Sequence, residues 1–91
     1  MFPRIVSVYH VREYILHLTF SNGEEADLDM KARVVGRGGV FGPLEDIGYF
    51  AQVKVDPEAH TLVWPNGLDL DPDVLYSEAT GTPLPFFEAV Q

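Results

Sequence analysis

Between Tyr14 and Met30 the chain alternates apolar and polar residues on both sides of the corner Ser21-Asn22-Gly23, and this most narrows what it can fold into. Tyr14, Leu16, Leu18 and Phe20 share one side of the first arm, and Ala26, Leu28 and Met30 share one side of the second. A period of two is that of a half-buried strand, and Asn-Gly between two such runs is the strongest short-range hairpin signal. Glu25, Asp27 and Asp29 then fall on the water-facing side of the return strand. Ile5 to Val11 supplies a further apolar run, and the short link Arg12-Glu13 makes a three-strand meander of the first third of the chain.

The regularity stops at Val34 to Pro43. Gly36, Gly38, Gly39 and Gly42, followed by Pro43, forbid the interior of a regular element, so this stretch is a loop. Pro43-Leu44-Glu45-Asp46 is suited to open one helical turn, with proline first and acids near its positive end. Tyr49 to Val55 reads as a strand, Asp56-Pro57-Glu58 as a turn and Thr61 to Trp64 as a short partner strand, giving a second hairpin. Pro65-Asn66-Gly67 forces another corner. Asp71-Pro72 is a helix start, with the Asp oxygen free to accept from unpaired amides and proline where its missing N–H costs nothing. The helix through Val74, Leu75, Glu78 and Ala79 ends at Gly81 and Pro83. The expected fold is therefore α+β: an antiparallel sheet of about five short strands, a meander plus a second hairpin, with one or two short helices, the last behind the Asp71-Pro72 cap.

Ninety-one residues make a single domain, 1–91, with one core. The apolar stretch 82–91, containing Leu84, Phe86, Phe87 and Val90, is expected to pack on that core or on a second copy of the chain. The sequence holds no cysteine, which removes disulfides, zinc–thiolate sites and thiol nucleophiles. Arg4, His10, Arg12 and Glu13 interrupt the first apolar stretch, so neither a signal peptide nor a membrane span is expected and the protein is read as cytoplasmic.

The net charge of −8 is unevenly spread: residues 41–91 carry Lys54 as their one basic residue against nine acidic ones. Because nucleic-acid affinity comes mainly from Lys and Arg on phosphates, this balance argues against direct nucleic-acid binding. It suits a basic protein partner instead.

Three groups of residues invite a chemical reading. Asp69, Asp71 and Asp73 lie at every second position, as in the first half of a calcium loop, but Val74 stands where that loop needs glycine and Thr80 where it needs a bidentate glutamate. No metal or other cofactor is expected there. Gly36-Arg37-Gly38-Gly39 has the backbone freedom of an anion cradle, yet no Gly-Lys-Ser/Thr or GxGxxG motif completes it. His10, His17 and His60 are separated by strands and turns, and none is spaced with a serine and a carboxylate to imply a triad. No catalytic residue is assigned, and the reading leans away from an enzyme.

The hairpin Leu16 to Glu24, the Gly-x-Phe-x-x-Leu of Gly39 to Leu44, the Phe and Val-x-Val of Phe50 to Val55, and Trp64-Pro65-Asn66-Gly67-x-Asp69-Leu70-x-Pro72-x-x-Leu75-Tyr76 together resemble the small bacterial family called domain of unknown function 2442. The resemblance implies a small α+β domain with an antiparallel sheet. Some members carry it ahead of a helix-turn-helix domain, and others are encoded beside a second small protein, which suggests toxin–antitoxin pairing. No helix-turn-helix unit is read within residues 1–91, so the chain is expected to depart from the first type.

Three functions are compatible with these features. The first is a non-catalytic interaction or regulatory module, the acidic member of a two-protein pair, with Trp64, Asn66, Asp69, Asp71, Asp73 and Tyr76 as its patch, although Trp64, a large aromatic beside a turn, is read as a core anchor before a binding residue. The second is a small-ligand-binding protein or enzyme that uses the loop 36–42, with Gly36, Arg37, Gly38 and Gly39 as its site, Arg37 as lid and Trp64 as wall. The third is a homo-oligomeric structural domain with no ligand.

Overall fold

The computed structural model describes residues 3–81, so the expected packing of 82–91 lies outside the described residues. The alternation in the first third is realised as written. β1 (Ile5–Arg12), β2 (Ile15–Phe20) and β3 (Glu25–Asp29) form an antiparallel sheet in the order β1-β2-β3. Leu16, Leu18 and Phe20 point every second side chain of β2 into the core, and Ile5 of β1 stands opposite Phe20. The β2–β3 corner closes with the Gly23 N–H donating to the Phe20 carbonyl at 2.9 Å, and Gly23 takes φ +90°, a left-handed angle that a side chain would strain. The Glu24 N–H donates to Asn22 Oδ1, the local bond that makes asparagine a turn residue.

After β3 come α1 (Lys31–Val34), a 3-10 helix (Gly39–Glu45) and α2 (Ile47–Phe50). The Pro43 turn is thus longer than expected, and Tyr49 to Val55 is not one strand. The Phe50 N–H donates to the Asp46 carbonyl, which winds the start of that segment into a helical turn and leaves only β4 (Lys54–Val55) extended. β4, β5 (Leu62–Val63) and β6 (Asp69–Leu70) make a second antiparallel sheet, in the order β4-β5-β6. The third of these strands follows from the Pro65-Asn66-Gly67 corner, where the Gly67 N–H returns to the Trp64 carbonyl and the chain pairs back on Leu62 and Val63.

Eleven buried apolar side chains close one core from both sheets and all the helices: Ile5, Leu16, Leu18, Phe20, Met30, Val34, Leu44, Phe50, Leu62, Trp64 and Leu75. α3 (Pro72–Thr80) lies against β3, with Leu75 buried and Tyr76 meeting Phe20 edge-on at 5.0 Å between ring centroids. Its ends follow the expected chemistry. Asp71 Oδ1 accepts the Asp73 N–H at 2.8 Å, Pro72 occupies the first helical position, and Gly81 ends the helix at φ +75°.

That cap sets a first prediction. Asp71→Ala should destabilise the domain by about 0.5–2 kcal/mol, while Asp71→Asn, which also caps, should stay near the parent. Urea unfolding followed through Trp64 fluorescence checks it.

Candidate functional site

The patch expected from sequence divides once its residues are placed. Trp64 is 1% exposed, and its Nε1–H donates to the Phe50 carbonyl at 3.0 Å inside the core. It offers a partner nothing. Asn66 is exposed but holds its own corner, with its amide nitrogen on the Val40 carbonyl and its oxygen taking the Leu68 N–H. Asp71 caps α3, and Asp69 beside it is exposed. Tyr76 is half-buried and donates its hydroxyl to Glu24, which ties α3 to the β2–β3 turn. The contact with Glu24 raises the Tyr76 pKa above that of a free phenol, because ionising the ring would place two anions together.

In the glycine-rich stretch, Gly36 donates its N–H to Glu45 Oε2 at 3.1 Å, and the Arg37 guanidinium sits 5.4 Å from the centre of the Phe41 ring. Gly36 and Arg37 are thereby drawn to Glu45 and Phe41, and Gly38 caps the 3-10 helix. An amide that an anion cradle would present already holds the chain's own carboxylate. Among the described residues, no group of three or more His, Asp or Glu side chains is placed to hold a metal ion.

The best-built polar arrangement lies on the open face of the first sheet, where sequence reading named no site. Across the three strands, Tyr9 pairs with His17 and His17 with Asp27. The Tyr9 and His17 rings stack at 4.9 Å with 28° between their planes. His17 then reaches two carboxylates at once: its Nε2 lies 2.8 Å from Glu25 Oε1 and its Nδ1 2.7 Å from Asp27 Oδ1. A neutral imidazole has one N–H, so both bonds are donated only by the imidazolium. Hydrogen bonding to Glu25, then to Asp27, raises the His17 pKa above its ordinary value. The signal was available in the sequence. Once Asn22-Gly23 fixes the corner, Phe20 pairs near Glu24, and counting back in steps of one sets His17 against Asp27.

His10 and His60 take other places. His10 Nε2 lies 2.7 Å from the Glu13 carbonyl at the β1–β2 turn, and His60 sits in the β4–β5 turn at φ +60°. That turn is organised by Asp56, whose Oδ1 accepts the N–H groups of Glu58 and Ala59. The Ala59 bond, followed by that from Glu58, holds the Asp56 pKa below the usual carboxylate range.

A family model described as protein of unknown function (DUF2442) matches residues 5–81, most of the chain. The chain belongs to this family. No curated protein matches the chain. Among solved structures it is similar to one from Nitrosomonas europaea, named "Putative DNA Binding Protein NE0471", with a TM-score of 0.77 and 23% identity. The match covers 89% of this chain and 51% of that one, so the chain spans about half the neighbour's length. The expectation that this domain makes no direct nucleic-acid contact does not stand beside that neighbour. Net charge was its sole ground, and net charge sums over a whole surface, whereas phosphate contact needs only a local group of cations. Among the described residues, no helix is long and apolar enough to cross a membrane.

The clamp on His17 gives a second prediction. A group whose pKa is raised on folding adds stability that is complete below its unfolded value and is lost as pH rises through the folded one. Relative to His17→Gln, the parent domain should therefore be favoured most below about pH 6.5, the ordinary imidazole value, and should lose that advantage above the raised pKa. Thermal unfolding of both proteins from pH 5 to 9, a range chosen to bracket the roughly neutral titration of histidine, checks the sign. A constant difference over that range would show that His17 is not clamped as a cation.

Proposed function

We propose that this DUF2442 domain is a non-catalytic interaction module that binds a basic protein partner, as the acidic member of a two-protein pair. The observation that supports it is the open sheet face. Glu25 and Asp27 keep 59% and 60% of their side chains exposed while holding His17, and Asp29 and the stacked Tyr9 extend the same face. An exposed aromatic beside several carboxylates gives a partner both apolar area and charge. Asp69 and Asp73 form a second acidic surface at the start of α3, the remnant of the patch expected from sequence once Trp64 is buried.

The test is affinity capture with three baits: the parent domain, Glu25→Gln/Asp27→Asn/Asp29→Asn, and Asp69→Asn/Asp73→Asn, each first shown to melt cooperatively. A basic companion held by the parent, released by salt and lost with the first variant alone supports the reading. Loss with the second variant alone moves the contact to α3. Recovery of the bait by itself in several growth states counts against the reading.

A second reading, direct contact with nucleic acid, is favoured by the name of the structural neighbour. Arg4, Arg12, Arg37 and Lys54 are exposed cations that would carry it. A duplex mobility shift that weakens steeply with salt would support it, since each phosphate contact releases counterions.

A further inference from the structure

We infer that the partner's contacting segment adds to the first sheet as a fourth strand on the outer edge of β3, and that it is an extended stretch with Lys or Arg at every second position. This rests on the reading of the domain as a binder of a basic protein and specifies how the contact is made.

The backbone of β3 supports it. The sheet order β1-β2-β3 leaves β3 with no strand on its other side among the described residues. Which β3 groups face outward follows from the ladder. The Phe20 N–H donates to the Glu24 carbonyl at one end and the Met30 N–H to the Tyr14 carbonyl at the other, so the bonded pairs are the even-numbered ones. In an antiparallel pair the alternate residues turn their N–H and C=O groups away from the partner. Those residues are Glu25, Asp27 and Asp29, opposite Thr19, His17 and Ile15.

The same three residues therefore present outward backbone groups and exposed carboxylates together. Their side chains share one face at a period of two, and so would the alternate side chains of an added strand. Lysine or arginine at those positions would stand beside each acid. A second copy of β3 would instead set carboxylate against carboxylate, so the charges discourage self-pairing and admit a basic strand. Five residues offer an edge of about 17 Å, enough for a peptide of similar length. At the C-terminal end of that edge a shallow depression lined by Asp29, Lys31, Ala32 and Val35 continues the surface.

The test uses three synthetic peptides with the intact protein: one alternating lysine and valine, one alternating glutamate and valine, and the lysine peptide N-methylated at alternate residues to block one edge. Amide hydrogen exchange is read by NMR at each β3 position. The lysine peptide is expected to slow exchange at Glu25, Asp27 and Asp29 by about tenfold or more while leaving Ala26 and Leu28, already bonded to β2, unchanged. The N-methylated peptide should lose this protection and the glutamate peptide should not bind. If the lysine peptide binds while those three amides exchange as before, or if the N-methylated form binds equally well, strand addition is overturned and the acidic-face reading survives. Equal binding of the glutamate peptide, or no binding of the lysine peptide at about 1 mM, also overturns the inference. The capture experiment above judges the broader reading separately.

Discussion

Trp64→Ala is expected to remove about 3–5 kcal/mol of folding stability, the range for truncating a large buried aromatic. The ring touches Phe50 at 5.8 Å between centroids and lies 1% exposed among side chains from both sheets, so its loss opens a void that none of its neighbours is sized to fill. The Trp64 N–H also donates to the Phe50 carbonyl at 3.0 Å, the shorter of the two bonds that oxygen accepts, the other coming from the Val53 N–H at 3.3 Å. At the low end of the total of about 5–15 kcal/mol for a domain, such a loss puts the protein near its unfolding midpoint at room temperature. Trp64→Phe separates the two contributions, since it keeps much of the apolar area but removes the indole donor and leaves the Phe50 carbonyl only the 3.3 Å bond from the Val53 N–H, at about 0.5–1.5 kcal/mol. Urea midpoints of the three proteins check the order. A Trp64→Ala protein as stable as the parent would place this tryptophan at a surface instead.

What could be read from the sequence, and what could not, follows from how far each element repeats its pattern. The meander spans long runs of strict alternation around an Asn-Gly corner, so strand, turn and buried face were all legible, down to Leu16, Leu18 and Phe20. The Asp71-Pro72 cap and the Gly81 stop were legible because each is a local chemical requirement. β4, β5 and β6 are two residues each, too short to show any period, and β6 was visible only as a corner. Phe50 was assigned to a strand because it stands before Val53 and Val55, residues of high β propensity. A run of helical backbone bonds, from Phe50 to the Asp46 carbonyl, Ala51 to Ile47, Gln52 to Tyr49 and Val53 to Phe50, overrides that preference.

The candidate site shows the same division. Alternation alone placed Glu25, Asp27 and Asp29 on the wet side of β3, yet they were read as ordinary solvated charge. Their significance depends on register: His17 falls opposite Asp27 and Tyr9 falls opposite His17, a relation between three strands that no single segment displays. Trp64 drew notice because it is rare and flanked by a corner and by acids, but rarity carries no information about which way a side chain points. Its direction continues the alternation of β5: one residue past Val63, Trp64 falls on the same buried side as Leu62.

Phe50→Ala should cost a similar amount, about 3–5 kcal/mol, although the residue stands outside every motif that attracts notice in the sequence. It is fully buried at the meeting point of three other rings: Trp64 at 5.8 Å, Tyr14 edge-on at 5.4 Å, and His10 edge-on at 6.0 Å. Tyr14 and His10 belong to the first sheet and its turn, Trp64 follows β5 of the second, and Phe50 ends α2 between them. The two sheets exchange no strand, and this aromatic group is a joint between them alongside the packing of β1 against β4. If it is, the two truncations act on one contact and cannot be independent. The Phe50→Ala/Trp64→Ala double variant, made in a background stabilised enough to stay folded, should lose less than the sum of the single losses by about 0.5–3 kcal/mol. Leu18→Ala paired with Trp64→Ala provides the comparison, because Leu18 packs from the centre of β2 and is not one of the joined rings. Full additivity in the Phe50 cycle, at the level found for the Leu18 cycle, would mean that each ring is held by its own sheet and that the joint lies elsewhere in the core.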